Sequence, residues 1–332
     1  MLGILGMMSD QYFDSRTLTS PATGVCPVRG CTAVLERPSN GKAYPLHCPD
    51  HKIKIHSRTF GYADPLRNIR FERAYFERNI RGNPHKAETH RLGYENSEDA
   101  LTWNVFSRLS RTGRLADLMS NLAQIELKAQ PDLYLWGLPI RLDAEERPEP
   151  FPTLVAARHQ FERDIRKMHT EPDVMLLVPG RCLVLIEAKF MSDNTIAENN
   201  AEDVANEKPK SQSGILLRYG VNGRPPTPLN TDHVCAPFFS QLYRNLVFAT
   251  WMARQLEVEW RLVNLVSKLQ HRERLDPTPF IHSVLPSACR NHFVLYDWER
   301  FYGEHIDGRA DLEELADYLR YKSANCEQGL AI

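Results

Sequence analysis

The apolar pattern of this 332-residue chain is most regular between residues 173 and 189, where two runs rich in Val, Leu and Ile flank a Pro-Gly pair. Such runs on either side of a turn signal predict a tight β-hairpin with both strands buried. If residues 179–181 form the loop, paired positions sum to 360 and Asp173 falls directly opposite Glu187. Lys189 follows Glu187 by two positions and therefore shares its face. The pattern thus predicts three charged side chains at one end of a buried hairpin.

Helical patterns and short apolar runs alternate from residue 154 to the end of the chain. This alternation predicts an α/β domain with a mixed sheet flanked by helices. Apolar runs at 260–266 and 291–296 predict further strands, and residues 238–248 begin a long amphipathic helix. The polar, Pro- and Gly-rich residues 191–232 interrupt the alternation, so we expect a long insertion there, and long loops in compact domains are often functional.

Composition and pattern together divide the chain into four segments. Residues 1–20 form a lead-in, and residues 21–60 are rich in Pro, Gly, Cys and His, which indicates a small module held together by a metal. Residues 61–94 are helical in pattern and basic. Residues 95–332 contain the hairpin, and we expect them to form the core domain.

The Cys and His residues of the 21–60 segment fall into two pairs separated by a hairpin-length spacer. Two such pairs fit the tetrahedral coordination of Zn²⁺, and a stretch with so little apolar content needs a metal to fold. The predicted ligands of this structural zinc ion are Cys26, Cys31, Cys48 and His51. His47 could replace one of them, and His56 is a more remote candidate. The alternative is a set of free cysteines beside a polar loop.

The formal net charge is only −1, but the charges are unevenly distributed. Between Lys52 and Arg91, ten Lys or Arg residues stand against four Asp or Glu residues, with aromatic residues interleaved. A stretch of this kind suits a nucleic-acid phosphate backbone, with Arg67, Arg70 and Arg73 as candidate contacts. The alternative is an ordinary solvated helical face.

Opposed carboxylates beside a lysine are groups that phosphodiester cleavage can use. Two carboxylates at the separation of paired strand residues repel each other unless a cation lies between them. A divalent cation such as Mg²⁺ takes oxygen ligands, activates water and stabilises the charge that develops on the phosphorus centre. A neighbouring lysine orients the attacking water or stabilises that charge. The alternative is a purely structural salt bridge between Lys189 and an acid at the end of a core strand.

Pro172-Asp173 at the start of one strand and Glu187-Ala188-Lys189 at the end of the next resemble the PD-(D/E)xK signature. That nuclease superfamily includes type II restriction endonucleases and RecB-type exonucleases. The resemblance implies a restriction-endonuclease-like fold and a nuclease that uses Mg²⁺ or Mn²⁺. We expect its substrate to be DNA in preference to RNA. It implies that Asp173, Glu187 and the Ala188 backbone carbonyl hold the metal, while Lys189 positions or activates water. The expected products carry a 5′-phosphate and a 3′-hydroxyl, and a bacterial defence or restriction setting follows from fold analogy alone.

Three further positions are similar to supporting residues of the superfamily or lie near them. Residues 96–106 predict a capped helix, and the acid that members carry before the hairpin corresponds to Glu98, a further metal ligand by this resemblance. First-turn acids are also favoured by the helix dipole alone. RecB-type nucleases have a downstream Gln with a Tyr one turn later, and Gln241 is similar to that Gln. The chain departs from this pattern because the fourth position after Gln241 is Asn245. We expect Gln241 and Arg244 to reach the site or a phosphate.

Several classes of protein are disfavoured. No apolar run approaches the roughly 18 residues of a membrane span, and an odd number of cysteines argues for a reducing compartment, so we expect a cytoplasmic protein without a membrane partner. No HExxH motif supports metalloprotease chemistry. The rival functions are a non-enzymatic zinc-containing module that binds nucleic acid or protein and an RNA-directed nuclease. A homodimer or an activating partner protein is left open.

Overall fold

The computed structural model describes most of the chain, in two compact units. The described residues are 26–28, 30–56, 59–62, 64–82, 90–166, 169–198, 203–204, 207–220, 228–231, 234–268, 276–325 and 332. The first unit holds the described residues up to Arg108, residues 267–268 and those from Trp298 onward, and the second holds Leu109–Val266 and residues 276–297. The predicted lead-in at 1–20 lies outside the described residues. Across the described ranges, no helix is both long enough and apolar enough to cross a membrane.

Strands and helices alternate along much of the chain. The strands, in chain order, are β1 (Leu46–Cys48), β2 (Ile53–Ile55), β3 (Phe60–Gly61), β4 (Asp132–Leu135), β5 (Leu138–Pro139), β6 (Val174–Val178), β7 (Cys182–Ala188), β8 (Glu259–Val266) and β9 (Phe293–Asp297). The helices are α1 (Arg73–Tyr75), α2 (Glu98–Arg111), α3 (Leu115–Ala123), α4 (Pro152–Phe161), α5 (Gln212–Arg218), α6 (Ser240–Leu256), α7 (Thr278–Val284), α8 (Trp298–His305) and α9 (Glu313–Asn325). The strands predicted near 260–266 and 291–296 correspond to β8 and β9.

The first unit contains a small antiparallel sheet in the order β1-β2-β3. Its buried side chains form a compact hydrophobic cluster that includes Ile53, Ile55 and Phe60 together with Cys26 and Cys48. A core of this size contributes little stability by itself, and modules of this kind usually need a disulfide or a metal. The cluster therefore brings the first and third predicted zinc ligands together around a minimal core.

A buried ion pair joins α9 to the segment that precedes α2. Lys322 Nζ lies 2.9 Å from a Glu95 carboxylate oxygen, and the two side chains are almost fully buried. Lys322 also donates to Asn68 Oδ1 at 2.9 Å and to the Glu95 carbonyl at 2.6 Å, and the Tyr62 hydroxyl donates to the Glu95 carboxylate at 3.1 Å. The C-terminal helix is therefore part of the interior of the first unit.

The second unit is built on a six-stranded mixed sheet in the order β5-β4-β6-β7-β8-β9. Neighbouring strands from β5 to β7 are antiparallel, whereas β7, β8 and β9 are parallel. Helix α6 packs on β7 and β8 and contacts α4, and α3 contacts the same two strands. The predicted α/β class, with a mixed sheet flanked by helices, is confirmed, and the restriction-endonuclease-like fold stays a prediction.

The hairpin of β6 and β7 has the register that the sequence predicts. Its pairs run from Val174–Ile186 to Val178–Cys182, so they sum to 360. Gly180 adopts a φ of +69°, the left-handed conformation that a three-residue hairpin loop requires. Every residue of both strands is buried. The same register, continued by one residue, places the two predicted acids opposite each other.

Candidate active site and metal centre

The end of β7 carries a buried ion pair. The Glu187 side chain is 0% exposed and Lys189 is 7% exposed. Lys189 Nζ lies 2.6 Å from Glu187 Oε1. An isolated charge in this environment would be costly, and here each side chain compensates the charge of the other. The two charges therefore form one buried unit at the end of a core strand.

Helix α6 supplies two further partners of Glu187. Gln241 Nε2 donates to Glu187 Oε1 at 2.6 Å, and Asn245 Nδ2 donates to Glu187 Oε2 at 2.7 Å. Residues four apart lie on one helix face, so a single turn of α6 presents both amides to the carboxylate. Sequence reasoning singles out Gln241 but misses Asn245. The spacing of four from Gln241 is the signal that could have identified it.

Asp173 lies beside the main chain that joins Glu187 to Lys189. Its side chain is partly buried, and Oδ2 accepts a hydrogen bond from the Ala188 N–H at 2.9 Å. Its carbonyl accepts a hydrogen bond from the Trp136 N–H at 3.2 Å, which ties the start of β6 to the end of β4. Asp173, Glu187 and Lys189 are therefore brought together at one end of the hairpin.

Asn264 of β8 is the neighbour of Glu187 across the parallel ladder. The register pairs these two residues, and paired residues present their side chains on the same face of the sheet. Asn264 is 0% exposed, and neither Oδ1 nor Nδ2 of its amide has a hydrogen-bond partner among the described residues. A buried amide without a partner costs about 1–3 kcal/mol. The sheet therefore keeps an uncompensated polar group beside the carboxylate.

We expect Asn264→Leu to raise the free energy of unfolding by about 1 kcal/mol, because it removes a buried amide that has no hydrogen-bond partner among the described residues and keeps a similar side-chain volume. Asn245→Leu is the matched control. It removes a buried amide that does bind a carboxylate, so it should destabilise the protein instead. The measurement is urea-induced unfolding of the wild type and both variants in metal-free buffer. A clear loss of stability in Asn264→Leu would contradict this reading of the amide.

A second buried carboxylate, Glu162, anchors the segment that leads into β6. Glu162 is 0% exposed, and it accepts hydrogen bonds from the Thr170 N–H at 2.7 Å, the Thr170 hydroxyl and the Tyr219 hydroxyl at 2.6 Å. His169 Nδ1 lies 3.4 Å from the same carboxylate. Burial by itself raises the pKa of Glu162, but His169, the positive charge of Lys208 and the hydroxyl donors outweigh burial and lower that pKa to about 2.

Glu162 should make the free energy of unfolding depend on pH between 4.5 and about 2. Its pKa is about 2 in the folded chain against an ordinary 4.5, so its ionised form stabilises the fold above pH 4.5, and this stabilisation is lost as the pH falls towards 2. The shift corresponds to roughly 3 kcal/mol at neutral pH. We expect Glu162→Gln to be less stable at neutral pH and to show a flatter profile across this window in urea unfolding. Asp164→Asn, which alters an exposed acid, is the control, and parallel profiles for wild type and Glu162→Gln would contradict the prediction.

The four predicted zinc ligands are brought together in the first unit, with ligand atoms all within 4.8 Å of one another. Cys31 Sγ is 3.7 Å from Cys48 Sγ, and His51 Nδ1 is 3.6 Å from Cys26 Sγ and 3.5 Å from Cys48 Sγ. Ligand atoms at zinc-bond lengths from a tetrahedral ion lie roughly 3.5–3.8 Å apart. The cluster could therefore bind a metal such as zinc.

The two alternative histidines lie outside this cluster. His47 Nδ1 is 3.3 Å from Glu36 Oε2, and His56 is not among the clustered residues. His51 is therefore the histidine that joins the three thiols. Burial raises the pKa of the Cys26 thiol, so metal binding there would have to displace a proton.

Glu98, the predicted further metal ligand, is the first residue of α2. The Ser97 hydroxyl accepts a hydrogen bond from the Ala100 N–H at 3.2 Å and caps this helix, as the sequence pattern predicts. Glu98 belongs to the first unit and the hairpin to the second, so its role as a ligand stays a prediction.

The predicted nucleic-acid contacts are divided between the two units. In the first unit, Arg70 and Arg73 are exposed, Arg67 is partly buried, and Arg73 Nη2 lies 2.9 Å from Asp64 Oδ2. In the second unit, Arg244 is partly buried on α6. Exposed ion pairs contribute little to stability, so the Arg73 pair could be exchanged for a phosphate contact at small cost.

Comparison of the chain with protein-family models, with curated proteins and with solved structures found no match. The function must therefore be inferred from the geometry and chemistry of these residues.

Proposed function

We propose that this protein is a metal-dependent nuclease that hydrolyses phosphodiester bonds, with DNA as the first substrate to test. The observation that carries the proposal is the Glu187–Lys189 pair, two charges almost excluded from solvent beside a second carboxylate, Asp173. A buried ion pair contributes little net stability compared with apolar residues of similar volume. Its retention beside another acid is typical of a site that performs chemistry.

The residues present fit a divalent cation. Asp173 and Glu187 supply the carboxylate oxygens that Mg²⁺ or Mn²⁺ prefers, and the Ala188 carbonyl is a third ligand by resemblance. Glu187 uses three of its roughly four lone-pair positions for its present donors, which leaves capacity for a metal. The Asn264 amide, partnerless among the described residues, adds a neutral oxygen beside Glu187. A cation bound there would polarise the phosphate and lower the pKa of a water molecule.

The other polar side chains of the site orient the Glu187 carboxylate or compensate negative charge. Lys189 is placed to hold the attacking water or to neutralise charge on the reacting phosphate, since its ammonium group lies at the Glu187 carboxylate and is almost excluded from solvent. Gln241 and Asn245 bind the two oxygens of Glu187 and keep its carboxylate in one orientation. A fixed carboxylate is what a metal ligand requires.

The first unit has a supporting role in this proposal. The Cys/His cluster holds a structural Zn²⁺, because four protein ligands leave no open position for a substrate. The basic segment with Arg67, Arg70 and Arg73 binds the phosphate backbone of a duplex or a partner. Such an arrangement is compatible with a bacterial defence or restriction enzyme.

Cleavage of supercoiled plasmid DNA, single-stranded DNA and RNA in Mg²⁺ or Mn²⁺ tests the proposal. We expect the wild type to cleave at least one DNA substrate, and we expect EDTA and Asp173→Asn each to abolish this activity. Asp132→Asn, which changes an exposed acid at the start of β4, is the matched control and should cleave normally. Activity that persists in Asp173→Asn would contradict the proposed site, and cleavage of RNA alone would assign an RNA-directed nuclease.

A non-enzymatic module that binds nucleic acid or protein is the second candidate function. The observation that favours it is that Lys189, Gln241 and Asn245 already compensate Glu187, as in a structural salt bridge. Retained nucleic-acid binding with no cleavage in any metal would support this candidate.

A further inference from the structure

A cleft in the first unit opens beside the Cys/His cluster. Its volume is about 580 Å³, which lies within the roughly 300–1,000 Å³ typical of ligand sites. Two of the predicted zinc ligands, Cys26 and Cys31, form part of its wall. Apolar side chains form much of the rest, namely Ala33, Leu35, Ala43 and Leu46. The cleft is therefore large enough for a small planar group and borders on the metal cluster.

Two larger side chains with unused binding capacity, Tyr44 and Arg37, line the same cleft. Tyr44 is partly buried and Arg37 is exposed. Among the residues that the structure describes, neither side chain takes part in a hydrogen bond, an ion pair or a ring contact. The cleft thus presents an aromatic ring and a cation to a ligand from outside.

The acids of this segment lie away from the cleft. Residues 26–56 carry five Lys or Arg residues against two acids, Glu36 and Asp50, and neither acid lines the cleft. Glu36 forms a bridge with His47 and lies 3.3 Å from its Nδ1, and alternation along an extended chain directs it away from the face of Arg37. A Zn²⁺ ion on three thiolates adds one net negative charge, so the segment keeps an excess of two positive charges. The cleft therefore suits a ligand that carries negative charge.

We propose that this cleft binds one unpaired nucleobase of a single-stranded nucleic acid, with the base on the Tyr44 ring and its phosphate on Arg37. Stacking on an aromatic ring tolerates every base, and a guanidinium group binds phosphate oxygens in a bidentate manner. Unpaired bases can be splayed out onto such a ring, whereas paired bases stay stacked in the duplex. An acidic peptide would engage Arg37 but offers a planar partner for Tyr44 only where it carries an aromatic residue. The site does not depend on the proposed nuclease activity.

Photo-crosslinking locates the bound base directly. A short single-stranded oligonucleotide with one 5-iodouracil, in a DNA and an RNA version, is irradiated with the full-length, zinc-containing protein. The buffer contains no Mg²⁺, Mn²⁺ or chelator, so that the strand stays intact and the zinc stays bound. We expect mass spectrometry to identify a cross-link at Tyr44, and the version that cross-links more efficiently identifies the preferred nucleic acid. Cross-links confined to residues outside the cleft would overturn the proposal.

Fluorescence anisotropy with the same strands measures the contribution of each side chain. We expect Tyr44→Leu to weaken binding at least about fivefold, since stacking of one base contributes that much or more, whereas Tyr44→Trp should retain binding. Arg37→Met should weaken binding and lower its salt dependence by about one released counterion. Lys54→Met is the matched control, because it removes an exposed charge from β2 outside the cleft, and it should bind nearly like the wild type.

A strand whose bases are removed from an intact sugar-phosphate backbone separates stacking from charge. Tyr44→Leu should not weaken binding of this strand, whereas Arg37→Met should. Equal weakening of both strands by Tyr44→Leu would overturn the stacked base, and unchanged binding in the double variant would leave an acidic peptide as the occupant. Zinc content verifies that the module is intact in each variant, and the wild-type cross-link needs no variant. A cross-link at Tyr44 together with no cleavage in any metal would keep this site and reject only the nuclease function.

Discussion

Lys189→Met is expected to lower the free energy of unfolding by about 3 kcal/mol and to abolish metal-dependent cleavage. Among the described residues, the substitution leaves the fully buried Glu187 carboxylate with the amides of Gln241 and Asn245 as its donors. Removing one partner of a buried ion pair costs about 3–5 kcal/mol, since the remaining charge is uncompensated, and the two amides favour the lower end of this range. Urea unfolding at neutral pH measures the loss.

The double variant Glu187→Leu with Lys189→Met separates stability from chemistry. It removes both charges, and apolar replacements of buried ion pairs are often neutral or stabilising. It also removes the acceptor of the buried Asn245 amide, which costs about 1–3 kcal/mol, so we expect it to regain only part of the lost stability. Cleavage should stay at least about a hundredfold below wild type in both the single and the double variant. Arg218→Met, which breaks an exposed pair with Asp164, is the control and should cost less than about 1 kcal/mol. A double variant that cleaves like the wild type would show that the pair has no role in the reaction.

Cys48→Ser is expected to release one zinc ion per chain and to unfold the small β1–β3 sheet. Cys48 is fully buried in the hydrophobic cluster of that sheet, and its Sγ is one of the four clustered ligand atoms. Structural zinc contributes about 10–16 kcal/mol of apparent binding free energy in small zinc-dependent folds, so losing one ligand should have a large effect on both metal content and folding. Zinc content by atomic emission and limited proteolysis of the module measure the two losses.

The zinc prediction has two matched controls. Cys235→Ser changes an exposed cysteine outside the cluster, and His47→Asn changes a histidine that contacts Glu36 instead of the thiols. Both variants should retain one zinc ion per chain, whereas His51→Asn should lose it. Wild-type protein that contains no zinc when purified without chelators, or a Cys48→Ser variant with full zinc content, would contradict the assignment.

Local patterns predict the parts of this site that are close together in sequence. The Pro-Gly turn and the two apolar runs determine the hairpin register, which brings Asp173, Glu187 and Lys189 to one end of the hairpin. The zinc cluster is predicted for the same reason, because its ligands lie within one short segment. These predictions depend on spacing along the chain, which the sequence displays directly.

The residues that sequence reasoning misses are those that long-range pairing brings to the site. Asn264 lies beside Glu187 because β8 pairs with β7 in parallel, and a parallel register between distant strands leaves no mark in local periodicity. Asn245 is the intermediate case, since helical spacing from Gln241 predicts its face but not its partner.

A crystal structure of the protein soaked in Mn²⁺, with anomalous diffraction recorded at the manganese and zinc absorption edges, tests the central claim most directly. We predict a manganese peak between the side chains of Asp173 and Glu187, and a zinc peak at the Cys/His cluster. No manganese at saturating concentration, with the Glu187–Lys189 pair unchanged, would contradict the proposed nuclease site and favour a non-enzymatic binding module.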